Sequence, residues 1–189
     1  MSSISDDADV HICGRIALLN GPPSVGKTGL ALSLQRAFTT PWFHRSLDDF
    51  RHGYLDRFWT EDDGTLFNRV MAGYLNAISE MARAGNDVIA EAIISPSRRE
   101  LYKSILRDLP VVLIGVHCPL SVAIRREQSR TDRLNGPIDL PPEAFAAVHA
   151  GIDYDLEVDT SIRSLDDLAF ELVSRIQGLV PRAFTDYET

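Results

Sequence analysis

Gly21-Pro22-Pro23-Ser24-Val25-Gly26-Lys27-Thr28 fits the spacing G-x-x-x-x-G-K-[ST], the pattern of a loop that cradles phosphate. Before it runs Arg15-Ile16-Ala17-Leu18-Leu19-Asn20, an apolar stretch short enough to be a buried strand. After it, Leu30, Leu34, Ala37 and Phe38 recur at helical spacing. Strand, glycine loop and helix together make the pattern a mechanism. Gly21 and Gly26 let the backbone bend so that the loop's N–H groups point inward at a phosphate, and the helix N-terminus adds positive potential. Lys27 is expected to reach the β- and γ-phosphates of ATP, and the Thr28 hydroxyl to ligate Mg²⁺.

Working outward, the strand signals fall near 15–20, 42–47, 88–91, 111–117 and 154–158, separated by helical patterns. This alternation predicts an α/β protein with a mostly parallel five-stranded sheet flanked by helices, the P-loop nucleoside triphosphate hydrolase fold with a short lid. The clearest helix spans 66–84, with apolar residues at Phe67, Val70, Met71, Tyr74, Leu75, Ile78 and Met81 and a Gly85-Asn86 stop. Ser164 through Asp167 reads as a capping box for the last helix. Residues 1–12 are expected to form a flexible acidic tail and 13–189 one P-loop domain, with the lid at about 129–142.

Composition narrows the class. A length of 189 residues, 44% hydrophobic and 24% charged, suits one globular domain. A formal net charge of -8 argues against nucleic acid as the main partner. Two cysteines, Cys13 and Cys118, do not make a disulfide framework. With no apolar run near the roughly 20 residues needed to span a bilayer, no membrane role is expected and the cytoplasm is the expected location.

Ligands of parallel sheets bind at the carboxyl ends of the strands, which gathers the P-loop, Asp48, Asp49 and Glu91 at one mouth. Phosphoryl transfer to a small hydroxylated substrate needs a base, cations on the migrating group and a cover against water. Asp48, read as directly following the second strand, is the candidate base, with a helix cap or a water-mediated Mg²⁺ contact as its other roles; Asp49 reads as a cap. Arg130 and Arg133, three apart, are the candidate lid cations, with a solvated basic face as the other reading, and the roles of Arg125 and Arg126 upstream stay open between the two. Glu91, ending the third strand, is a candidate for orienting magnesium waters, for touching substrate, or for a structural part. Trp42, Phe50, Tyr54, Phe58 and Trp59 offer either an acceptor pocket or core packing. His44, His52, His117 and His149 show no metal-ligand spacing and read as structural or surface residues.

Several stretches resemble the chloramphenicol phosphotransferase family. They are Ile16–Gly21 leading to Gly26-Lys27-Thr28, Pro41-Trp42 followed by Leu47-Asp48, Met81–Gly85 and Arg130-Thr131-Asp132-Arg133. The most family-specific is Val148-His149-Ala150-Gly151-Ile152-Asp153-Tyr154-Asp155-Leu156-Glu157-Val158-Asp159-Thr160, because nucleotide binding in general does not demand it. The resemblance implies an ATP-dependent kinase acting on a primary hydroxyl of an antibiotic-like molecule, with Asp48 as base, Lys27 as P-loop lysine and Arg130 and Arg133 in the lid. The chain departs from the family pattern at Ala92, where a second acidic residue follows the position of Glu91, and over 51–65. Two alternatives share the P-loop: a kinase of another metabolite or nucleotide sugar, similar to the zeta toxins, and a nucleotide-binding regulator without transfer.

Overall fold

The computed structural model describes residues 13–130, 139, 141–181 and 184. The expected tail, and residues 131–138 and 140 of the expected lid, lie outside them. Among the described residues, strands β1 (Ile16–Asn20), β2 (Trp42–Arg45), β3 (Asp87–Ala92), β4 (Val111–His117) and β5 (Leu156–Asp159) form one sheet. Its order is β2-β3-β1-β4-β5, and every neighbouring pair is parallel. The helices are α1 (Lys27–Ala37), α2 (Leu47–Arg51), α3 (Arg57–Thr60), α4 (Thr65–Arg83), α5 (Arg99–Leu106), α6 (Leu120–Gln128), α7 (Pro142–Ala147) and α8 (Leu165–Gly178).

Side-chain alternation along β1 divides the core. Ala17 and Leu19 pack with Leu30 and Leu34 of α1 and Leu168, Leu172 and Ile176 of α8. Ile16 and Leu18 pack with Met71, Tyr74 and Ile78 of α4 and Tyr102 and Leu106 of α5. All five residues of β1 are buried, as a parallel strand covered on both faces requires. The P-loop therefore leaves the centre of the sheet with a helical layer on either side.

Two strand ends differ from the sequence reading. β2 stops at Arg45 instead of 47, because Ser46 begins α2 in a capping box: its hydroxyl accepts from Asp49 N, and its own N–H donates to the Asp49 carboxylate. Asp48 thus lies in the first turn of α2, one element later than expected, and Asp49 is the cap it was read as. β5 starts at Leu156 instead of 154. The Asp155 carboxylate takes the Leu113 N–H at 2.8 Å, and the Tyr154 hydroxyl turns to Asn20 and His149. At α8 the Ser164 hydroxyl accepts from Asp167 N as expected, and it donates back to the Asp167 carboxylate.

Candidate active site

Gly21 and Gly26 answer different demands of the loop. A Cβ on Gly21 would stand 2.5 Å from Val116 O, so backbone approaches backbone there. Gly26 precedes α1 at φ 101, a left-handed conformation that side chains disfavour. Ser24 also has positive φ, at 60. That strain is held from outside the loop, since the Ser24 hydroxyl donates to the buried Glu127 carboxylate of α6. Arg126, next to it, donates to Val25 O at 3.1 Å and to Thr160 Oγ1 and O, both at 2.9 Å. Of the two arginines whose role the sequence left open, Arg126 braces the loop and faces the cavity, while Arg125 is exposed.

The base of the loop has its own brace. Asn20 Oδ1 accepts from Ile94 N at 2.8 Å, which fixes its amide so that Nδ2 donates to the Tyr154 hydroxyl at 2.6 Å. That hydroxyl also meets His149 Nδ1 at 2.7 Å. Burial, the stacked His117 ring 4.0 Å away and the Lys27 charge lower the His149 pKa from its ordinary 6.5 to about 4. His117 and His149 are structural, as the sequence suggested.

A cavity of about 440 Å³ opens in front of the loop, within the range of small-molecule sites. Pro23, Ser24, Gly26, Lys27 and Thr28 line one end, and Asp48, Glu91, Arg126 and Arg130 line it too. Of the expected site residues, Arg133 lies outside the described ones. Lys27 Nζ donates to Gly21 O at 2.7 Å and Pro22 O at 2.8 Å. Thr28 Oγ1 donates to Glu91 Oε2 at 2.9 Å, and His44 Nε2 meets the other oxygen at 2.9 Å. His44 was missed as a site residue. The signal was period two, since Trp42 and His44 of β2 and Ile89 and Glu91 of β3 all face α1. The end of the β2–β3 ladder is closed by the buried Tyr74 hydroxyl, which accepts from Glu91 N and donates to Glu91 O. Burial pushes that phenol well above its ordinary pKa, so it stays a donor.

Asp48 is half exposed and pairs with Arg51 at 3.2 Å. The aromatic residues expected as pocket candidates lie outside the lining. Trp42 stacks on Phe38 with centroids 4.0 Å apart, and Phe50 packs edge-on against Tyr74. Phe67, Met71, Ile93 and Tyr102 form the apolar wall instead. Thr28 and Glu91 fit magnesium by donor chemistry: this ion takes one or two protein oxygens and fills its remaining positions with water and phosphate.

Comparison with known proteins agrees with this geometry. Residues 14–177 match the model of the family described as chloramphenicol phosphotransferase-like protein. The Mycobacterium tuberculosis protein named "Putative O-phosphotransferase Rv2636" is 30% identical over 90% of this chain and 86% of its own. Among solved structures, the APS kinase CysC of Mycobacterium tuberculosis, in complex with AMPPNP and APS, superposes with a TM-score of 0.63. It has 16% identity and covers 87% of this chain and 98% of that one. Shikimate kinase from Acinetobacter baumannii gives 0.61 at 18% identity, over 88% and 94% of the two chains. The Deinococcus radiodurans tunicamycin resistance protein gives 0.62 at 21%, over 89% and 98%. At these identities the structures speak for the fold.

Proposed function

The chain belongs to the chloramphenicol phosphotransferase-like family, a kinase-like O-phosphotransferase class on the P-loop fold, and on that premise we propose that it transfers the γ-phosphoryl group of ATP to a hydroxyl of a small molecule. The observation that carries the reading is that Lys27, Thr28, Asp48 and Glu91 line one cavity at the carboxyl edge of the sheet. In this reading the loop and Lys27 hold the β- and γ-phosphates. Thr28 would hold Mg²⁺ directly, and Glu91, fixed by His44, would orient its waters. The ion supplies charge neutralisation between the phosphates. Asp48 accepts the proton of the acceptor hydroxyl as its oxygen bonds to the γ-phosphorus. The bond to the β–γ bridging oxygen breaks, and ADP leaves with the electron pair. Arg126 and Arg130, with Arg133 from the lid, balance the developing charge.

The family resemblance supports an antibiotic-like acceptor, and chloramphenicol is the first compound to assay; a resistance role and a cytoplasmic location, where ATP and magnesium are at hand, belong to the same proposal. In the described residues no helix is long and apolar enough to cross a membrane. The test is ADP release from Mg-ATP with a panel of small alcohols headed by chloramphenicol. Acceptor-dependent release supports transfer. Release that is identical with and without every acceptor would overturn it.

A further inference from the structure

Five cationic side chains line the cavity, Lys27, Arg51, Arg98, Arg126 and Arg130, against two carboxylates, Asp48 and Glu91. This excess stands in a chain of formal net charge -8. Lys27 and Arg126 serve the phosphate loop, Arg130 follows Arg126 beyond the end of α6, and Arg51 is paired with Asp48. Arg98 is different. It ends the 3₁₀ turn Pro96–Arg98 after β3, on the α4–α5 side of the sheet. Its guanidinium lies over the Phe67 ring, 4.6 Å from the centroid, and among the described residues no carboxylate pairs with it.

A part-buried guanidinium loses hydration, and a ring face returns only part of it. The ring does fix the plane of the fork, ready for a bidentate anion. Phe67, Met71, Ile93 and Tyr102 give the cavity apolar surface beside the charges, where such a contact is strengthened. We infer that the acceptor carries an anionic group, a carboxylate or a phosphate, which Arg98 grips while the hydroxyl faces Asp48. Acidic hydroxyl compounds are then bound ahead of neutral ones such as chloramphenicol. The inference rests on the transferase reading for the hydroxyl and on Arg98 for the anion.

The test is calorimetric titration of the full chain, with and without Mg-AMPPNP, using two matched pairs: mandelate against mandelamide, and glycerol phosphate against glycerol. At least one anion is expected to bind about tenfold or more tighter than its neutral partner, and the pair that responds tells carboxylate from phosphate. Arg98→Leu should erase the preference, and Arg98→Lys should retain part of it. Should Arg98→Leu fail to fold, Arg98→Gln makes the same comparison. Equal binding within both pairs, no binding in either, or a preference that survives loss of the charge overturns the inference. Failure of wild type to bind AMPPNP would instead refute the nucleotide reading, and the titrations without nucleotide would still decide this one.

Discussion

Lys27 is folded onto two carbonyls of its own loop, so its ammonium already stands at the cradle and bound phosphate must compete with Gly21 O and Pro22 O. Lys27→Ala is expected to lower kcat by on the order of 10²–10³, the usual cost of losing one charged donor to a developing anion. Its circular dichroism should be unchanged; near-normal turnover would remove Lys27 from the mechanism. His149 makes a different prediction. Its pKa falls from 6.5 to about 4 on folding, so the unfolded chain takes up a proton first as pH drops. The stability due to the neutral imidazole is complete above pH 6.5 and is lost progressively between about 6.5 and 4. His149→Gln should flatten that limb of the denaturation midpoint against pH. An unchanged slope would show that the imidazole does not stay neutral on folding.

The elements show what the stretch 148–160 does in this chain. Tyr154 and His149 hold Asn20, the residue before the loop, whereas Thr160 holds Val25 and Arg126 at its crown. One segment grips the P-loop at both ends. Thr160→Ala strips partners from buried groups, so a loss of about 1–3 kcal/mol in chemical denaturation is expected, with weaker nucleotide binding; wild-type stability would show that the brace is idle. Most of this scale was legible in sequence. Glycine spacing and apolar runs gave the loop and its strand, and the rule that ligands bind at the carboxyl edge of a parallel sheet gathered Asp48 and Glu91 at the cavity they line. The end of β2 was misread because Ser46 and Asp49 close a capping box that competes with strand extension. The wall of Phe67, Met71 and Tyr102 was hidden for another reason: helical periodicity marks Phe67 and Met71 as core residues, and only the packing of α4 against α5 shows that they line a cavity with Tyr102. Arg98 lay in the same blind spot.

Across the whole molecule, a formal net charge of -8 contrasts with a cavity lined by five cations and two carboxylates, which focuses positive potential on one ligand site. A nucleotide bound there stabilises the entire domain by mass action. At a hundredfold excess over Kd, Mg-AMPPNP should add about 2.7 kcal/mol, a rise in Tm of roughly 5–10 °C for a chain of this size. No shift at any concentration would contradict the nucleotide site. The most direct test of phosphoryl transfer with Asp48 as base is mass spectrometry of the acceptor after incubation with Mg-ATP, comparing wild type with Asp48→Asn. The acceptor should gain about 80 Da, one HPO₃ unit, with wild type. The variant should form that product on the order of 10²–10⁴ more slowly while still binding AMPPNP. Equal product from both proteins would remove Asp48 as the base, and AMPPNP binding with no product on any hydroxylated acceptor would contradict transfer itself.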